Sequence, residues 1–284
     1  MVDDGMSDDG LPSLRSLIDL HDLQAKKSLG QNFLLDLNIT RKIARLADVR
    51  PGARFIEVGP GPGGLTRGLL MEGAEHLVVI ERDARMQPLL QEVAAAYPGK
   101  LDVQIADATN FDWQSPAYRP YEVVANLPYN VGTALLTDWL SLPWPLPFAK
   151  LTLMFQEEVA ERIVADCGGK AYGRLSVLAN WRMETDIVYR LPRGAFTPPP
   201  KVSSAVVQLV PKATLAYDVS PHTVARVTAA AFGQRRKMLR QSLKGLIPDV
   251  GGLLQALDLD PTNRAENLSW QDFCRIADAL EQHH

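Results

Sequence analysis

Cysteine is scarce in this chain of 284 residues, with Cys167 and Cys274 the whole complement. Two thiols far apart and in no metal-ligand spacing exclude a disulfide framework and fit a reducing compartment, so both read as small core residues. Long hydrophobic runs are also missing. No uninterrupted apolar stretch approaches the roughly 20 residues of a membrane span, and the opening MVDDGMSDDG is acidic and glycine-rich rather than signal-like. A cytoplasmic protein without membrane contact is expected. Charge of neither sign dominates: 30 basic residues face 33 acidic ones, for a formal charge of −3. A nucleic-acid partner would therefore have to be met by a local patch. Internal repeats and low-complexity tracts are absent. Apolar side chains, by contrast, are plentiful at 46%, enough to fill the core of one large domain with a small one beside it.

The first residues, to about Leu11, read as disordered, and "LPSLRSLIDLHDL" (11–23) then has helical apolar spacing. From Ala53 onward, short apolar runs alternate with helical segments. The candidate strands are 54–59, 76–81, 102–107, 121–127, 150–156, 186–191 and 204–210. Seven strands, the early ones interleaved with helices, predict an α/β fold with a doubly wound, mostly parallel sheet. The last two flank a proline-rich loop and are expected to pair as an antiparallel hairpin at the sheet edge. After "PKATLAYDVSP" (211–221) the strand signal stops, and from about His222 several helices with Gly, Pro and Asn breaks follow. The expected division is an N-terminal extension over 1–25, partly disordered, an α/β domain over 26–212 and a small all-helical domain over 213–284.

"EVGPGPGGLT" (57–66) leaves the first strand and enters a helix near Gly64. Gly59, Gly61 and Gly64 satisfy G-x-G-x-x-G, a weak signal, because any nucleoside cofactor can use such a gap. Glu81 closes the second strand, where a carboxylate accepts ribose hydroxyls. That fits a nicotinamide dinucleotide and S-adenosylmethionine equally. Asp107, ending the third strand, can accept the amino protons of adenine; the plain alternatives are an N-cap for Asp107 and a solvated strand end for Glu81. Pro60 and Pro62 donate no backbone N–H, so a pyrophosphate would be poorly served and a cofactor without phosphates suits the loop better.

The fourth strand ends in "NLPYN" (126–130). The Asn126 side chain and a nearby carbonyl, that of Leu127, can accept both hydrogens of an exocyclic amine. Such acceptors bias the nitrogen toward a pyramidal geometry and free its lone pair for attack on a methyl sulfonium. Pro128 fixes the turn, and Tyr129 offers a face for base stacking, worth on the order of 1–3 kcal/mol. The competing reading is a strand-to-helix turn in which Asn126 caps backbone and Tyr129 packs in the core.

Motifs in this order and spacing resemble the ribosomal RNA adenine N6,N6-dimethyltransferase family, in particular its bacterial small-subunit branch. They are "LGQNFLLD" (29–36), "EVGPGPGGLT", "IERD" (80–83), "DAT" (107–109), "NLPYN", "FQEEVAERI" (155–163), "YGRLSVL" (172–178), "FTPPPKVSSAVV" (196–207) and "AFGQRRKMLRQSLK" (231–244). The resemblance implies a Rossmann-like class I methyltransferase fold. It implies S-adenosylmethionine as cofactor, leaving as S-adenosylhomocysteine, with Gln31, Asn32 and Leu34 lying over it. Gly59 and Gly61 would face its amino-acid portion, Glu81 its ribose and Asp107 its adenine, with Arg82 and Ala108 beside these two acids. Asn126 would serve both the cofactor and the target amine. Phe196 would close a stack opposite Tyr129, and Lys201 would meet RNA phosphate; on residue chemistry alone, Phe196 is a loop aromatic capping the core.

The implied reaction is N6-dimethylation of two adjacent adenosines near the 3′ end of 16S ribosomal RNA in an assembling 30S particle, by a monomer. The other readings are the branch that modifies large-subunit RNA, a DNA adenine methyltransferase, an RNA-binding assembly factor and a nicotinamide oxidoreductase. An RNA surface is expected from Arg226, Arg235, Arg236, Lys237, Arg240 and Lys244, a stretch without acidic residues. In a continuous helix, Arg236, Arg240 and Lys244 would share one face. Lys26 and Lys27 form a weaker second cluster.

Overall fold

The computed structural model describes residues 7–23, 25, 31–117, 119–128 and 131–282. Tyr129, Lys26, Lys27 and the first six residues of the expected disordered tail lie outside the described residues. Among the described residues no helix is long and apolar enough to cross a membrane.

The chain divides into two compact units that do not follow the boundary drawn at residue 212. The first holds Met1–Leu135, Pro147–Glu157 and Ile187–Gln208; the second holds Leu136–Leu146, Glu158–Asp186 and Leu209–His284. The helical unit thus includes segments from the middle of the sequence as well as its end.

In chain order the elements open with α1 (Leu14–Leu20), β1 (Phe33–Leu34), α2 (Leu37–Leu46), β2 (Arg54–Val58), α3 (Gly64–Met71), β3 (His76–Glu81) and α4 (Gln87–Ala96). There follow β4 (Leu101–Ile105), β5 (Tyr121–Asn126), α5 (Gly132–Leu140), β6 (Phe148–Gln156), α6 (Glu157–Val164), α7 (Arg174–Arg182) and β7 (Met183–Leu191). The remainder is β8 (Phe196–Thr197), β9 (Ser204–Pro211), α8 (Pro221–Gly233), α9 (Leu239–Ser242), α10 (Val250–Ala256) and α11 (Trp270–Gln282).

All seven strands expected from the sequence form one sheet, in the order β4-β3-β2-β5-β6-β9-β7. The hairpin partners β7 and β9 are neighbours, with β7 at the edge. Strands β2 to β6 pair in parallel. The central strands have long buried runs because both their faces are covered, as in β5 with five buried residues before its polar end at Asn126, whereas β4 at the sheet edge has none. Val79 pairs with Glu57 and Val124 pairs with Glu57 on the other side. Alternation then puts Glu57, Glu81 and Asn126 on one face at the carboxyl edge. On that face Phe55, Leu77 and Val79 pack with Leu65 and Leu69 of α3 and Leu89, Leu90 and Val93 of α4. Burying each such side chain contributes about 1.5–3 kcal/mol.

Two short strands were not foreseen. Phe33 pairs with Thr197 and Leu34 with Phe196, an antiparallel pair of β1 with β8. Helix α2 then approaches α3 backbone to backbone: a Cβ on Gly68 would stand 2.7 Å from the carbonyl carbon of Thr40. The N-terminal extension is ordered over 7–23, where Ser13 caps α1 and Leu14, Leu17 and Leu23 are buried.

In the second unit, the expected single helix through the basic cluster is broken. Helix α8 ends at Gly233 and α9 begins at Leu239. The amides of Leu239 and Arg240 donate instead to the carbonyls of Asn263 (2.7 Å) and Pro261 (3.1 Å). Arg240 alone of the three residues expected on one face is helical. Arg182, fully buried, donates to the carbonyl of Leu140 at the end of α5 and to that of Leu142 just beyond it, and burial lowers its pKa to about 10.

Candidate active site

Parallel strands deliver their last residues to one crevice outside the carboxyl edge of the sheet. There β2 runs into Gly59, β3 ends at Glu81, the chain after β4 brings Asp107, and β5 ends at Asn126. Together with residues 31–34 these surround a cavity of about 490 Å³. Gln31, Asn32, Leu34, Gly59, Gly61, Glu81, Arg82, Asp107, Ala108, Asn126 and Leu127 all line it.

The glycine loop is shaped for close approach. Gly59, Gly61 and Gly63 have φ of 69°, 53° and 81°, a region open to glycine at little cost. A Cβ on Gly61 would meet the Phe33 ring at 3.3 Å. Glu81 is tied to this loop: one carboxylate oxygen accepts from the Gly61 amide (3.0 Å) and the other from the Asp83 amide (2.6 Å). Two backbone bonds aim the carboxylate and leave lone pairs for hydroxyls. Burial raises its pKa. Asp107 does serve as an N-cap, with Oδ1 accepting from the Thr109 amide and hydroxyl (3.0 and 2.7 Å). These bonds hold its pKa down. Its Oδ2 faces the Arg82 guanidinium at 3.4 Å.

The cover over the cavity is fastened by side chains. Gln31 donates to Asp83 (3.3 Å), whose pKa is lowered chiefly by Arg85. Asn126 Nδ2 donates to the Asn32 carbonyl (3.2 Å). The amide's donor end is thus engaged, and among the described residues Oδ1 has no partner. Leu127 is buried beside it. Phe196 departs from its expected stacking role: it is 3% exposed, does not line the cavity, and packs with Phe33, Leu34, Leu191 and Val206. Pairing β8 to β1 turns the ring inward, the core-capping alternative weighed from residue chemistry.

Sequence reasoning passed over Glu57. It lines the cavity, is 1% exposed and accepts from the Thr66 hydroxyl at 2.6 Å. Burial pushes its pKa up to about 8 from an ordinary 4.5. The glutamate in "EVGPGPGG" was visible; its protonation state depends on desolvation that no spacing reveals. A raised carboxyl pKa stabilises the fold below the unfolded value, and the contribution is lost as pH rises through the folded value. The unfolding free energy of the wild type, from denaturant titrations, should therefore fall relative to that of Glu57→Gln between about pH 5 and 8, on the order of a few kcal/mol. Parallel pH profiles of the two would show Glu57 ionised throughout.

The donor set also indicates what the cavity holds. Among the described residues three carboxylates line it, Glu81, Asp83 and Asp107, with Glu57 held protonated at neutral pH by burial, against one cation, Arg82. That balance opposes a pyrophosphate and accommodates a nucleoside bearing positive charge and no phosphate. S-adenosylmethionine, with its ribose, adenine, ammonium and sulfonium, fits.

Of the residues expected to meet RNA, Lys201, Arg236, Lys237, Arg240 and Lys244 are exposed. Arg235 is engaged: Nε pairs with Glu266 (2.9 Å) and a second nitrogen donates to the Lys170 carbonyl (2.8 Å). The acidic residue missing from the local sequence is supplied from farther along the chain.

The "Ribosomal RNA small subunit methyltransferase A" of Cereibacter sphaeroides is 59% identical over 269 residues, 95% of this chain and 97% of that one. The protein of the same name from Paracoccus denitrificans is 58% identical over 273 residues, covering 96% and 97%. Among solved structures, a dimethyladenosine transferase from Plasmodium falciparum matches with a TM-score of 0.72 and 26% identity over 87% of this chain and 96% of that chain. The 23S rRNA methyltransferase ErmE matches with a TM-score of 0.66 and 26% identity over 88% and 100%. The model of the ribosomal RNA adenine dimethylase family matches residues 22–282, and with the strand-end carboxylates, the glycine loop and Asn126 in one cavity, the chain belongs to that family.

Proposed function

We propose that this protein transfers methyl groups from S-adenosylmethionine to N6 of adenosines in small-subunit ribosomal RNA. Two methyls go to each of two adjacent adenosines near the 3′ end of the 16S RNA, within an assembling 30S particle. The observation that carries the reading is Asn126: it ends β5 in the cavity, its Nδ2 fixed by the Asn32 carbonyl and its Oδ1 left as an acceptor.

When bound, S-adenosylmethionine supplies an electrophilic methyl on its sulfonium. The chain's own groups hold and orient. Glu81 accepts the ribose hydroxyls and Asp107 the adenine amine, while residues 31–34 exclude water from above. Asn126 Oδ1 and the Leu127 carbonyl accept the hydrogens of the target amine, drawing it toward pyramidal geometry with the lone pair facing the methyl. The target must be unpaired or splayed from its stack, at a cost of a few kcal/mol, before it reaches these groups. No side-chain base is needed, because the methylated nitrogen is acidic enough to release its proton to water. The exposed Lys201, Arg236, Lys237, Arg240 and Lys244 supply phosphate contacts.

Transfer of labelled methyl to unmethylated small and large subunits, followed by nucleoside analysis, tests this directly. The expected product is N6,N6-dimethyladenosine in the small subunit alone. Label in the large subunit, or in neither, would overturn it.

A further inference from the structure

The N-terminal extension is bound to the helix that follows the glycine loop through a buried ion pair. Arg67, on α3 one turn beyond Gly64, is 0% exposed, and the Asp9 side chain is 1% exposed. Arg67 makes three hydrogen bonds outside its helix: Nε and one terminal nitrogen donate to the two Asp9 oxygens (2.7 and 2.5 Å), and the other donates to the Pro12 carbonyl (2.8 Å). A buried guanidinium must have its donors answered, and here all the answers come from residues 9–12. Weaker ties run from Asp8 to Arg41 on α2 (3.7 Å) and from His21 to Glu92 on α4 (2.8 Å).

The anchored segment backs the wall of the cavity through Leu14, which does not itself line it. A Cβ at Gly64 would lie 3.3 Å from the Leu14 side chain on one side and inside contact distance of the Leu34 carbonyl on the other. Gly64 and Leu34 both line the cavity. Leu14 therefore backs the first turn of α3 at the place where that turn meets the segment covering the cofactor site.

We infer that Asp9 and Arg67 form a positioning pair for the cofactor site, clamping residues 9–14 so that Leu14 presses the first turn of α3 against the Leu34 backbone. This rests on the reading of the cavity as the S-adenosylmethionine site. The pair is buried and does not line the cavity, so its effect falls on cofactor affinity and spares the acceptors at Asn126.

Asp9→Asn, Arg67→Met and the double variant test the pair, with Glu122→Gln as a stability control. Glu122 is buried in the same unit against Arg50 and Lys150, at the opposite end of β5. Each variant is measured for S-adenosylhomocysteine affinity by calorimetry, for KM toward S-adenosylmethionine and toward small subunits, and for Tm. Both single variants should weaken S-adenosylhomocysteine binding and raise the cofactor KM by about tenfold or more. The KM for subunits and kcat should stay within about twofold. The double variant should cost no more than either single one, as members of one pair do. Glu122→Gln should lower Tm without moving cofactor affinity. If the three strap variants lose only Tm, or if Glu122→Gln weakens the cofactor equally, the pair is structural and the inference fails. Wild-type protein that bound no S-adenosylhomocysteine would instead overturn the reading of the cavity.

Discussion

Replacing Asn126 by alanine is expected to lower the single-turnover rate of methyl transfer by about 10²–10³-fold, while S-adenosylhomocysteine affinity changes by no more than about threefold. The asymmetry follows from where the amide sits. Its donor end is occupied by the Asn32 carbonyl, and the bonds foreseen for ribose and adenine belong to Glu81 and Asp107. What alanine removes from the chemistry is the Oδ1 acceptor, which is needed most as the amine becomes pyramidal. The effect should be larger on the second methylation of each base, because N6-methyladenine has one N–H left for two acceptors. Loss of the Asn32 tie accounts for the small change in affinity. Rapid-quench rates for the two steps, set beside calorimetry, separate these contributions. Equal losses in rate and affinity would make Asn126 mainly a cofactor holder.

Gly64→Ala is expected to be the most damaging substitution in the glycine loop, although Gly64 itself does not have positive φ. An added methyl would overlap the Leu34 carbonyl oxygen and crowd Leu14. Neither neighbour can turn aside as a flexible side chain would, since one is backbone and the other is held by the anchored extension. Overpacking of this kind costs about 3 kcal/mol, and relief requires the cover to move off α3, so cofactor affinity should fall with stability. Gly59→Ala offers the contrast: its Cβ would meet only Pro128, at 4.0 Å. The cost there is backbone strain, about 1–2 kcal/mol. Urea midpoints and S-adenosylhomocysteine titrations of the two variants check the ranking. A Gly64→Ala protein as stable as Gly59→Ala would mean that the cover is not seated on α3 as described.

The sheet was legible because its central strands are buried on both faces and all are punctuated by loops, so the apolar runs announced themselves. The acids at strand ends were legible for the same reason: a carboxylate closing an apolar strand stands out against it. What escaped was written in no local pattern. Two-residue strands such as β1 and β8 carry no periodicity, and their pairing joins segments far apart in sequence. Phe196 follows from that pairing, which decides whether the ring meets ligand or core. Asp8 and Asp9 read as part of a solvated acidic tail, because nothing near them discloses that a buried arginine on α3 requires one of them. The basic run from Arg235 to Lys244 was correctly marked as cationic. Its helical continuity was overestimated, since the turn at 261–263 captures the amides that would have carried the helix through.

The pairing of Phe33 with Thr197 also sets an order of events during synthesis. The glycine loop, Glu81, Asp107 and Asn126 leave the ribosome long before Thr197 does, so the floor of the cavity exists as nascent chain before its cover has a strand to pair with. Closing so long a loop is entropically costly, and contacts between distant segments form slowly. A partly translated chain therefore has the floor of the cavity without the strand that pairs with its cover, and the β1–β8 pair can close only when Phe196 and Thr197 have emerged.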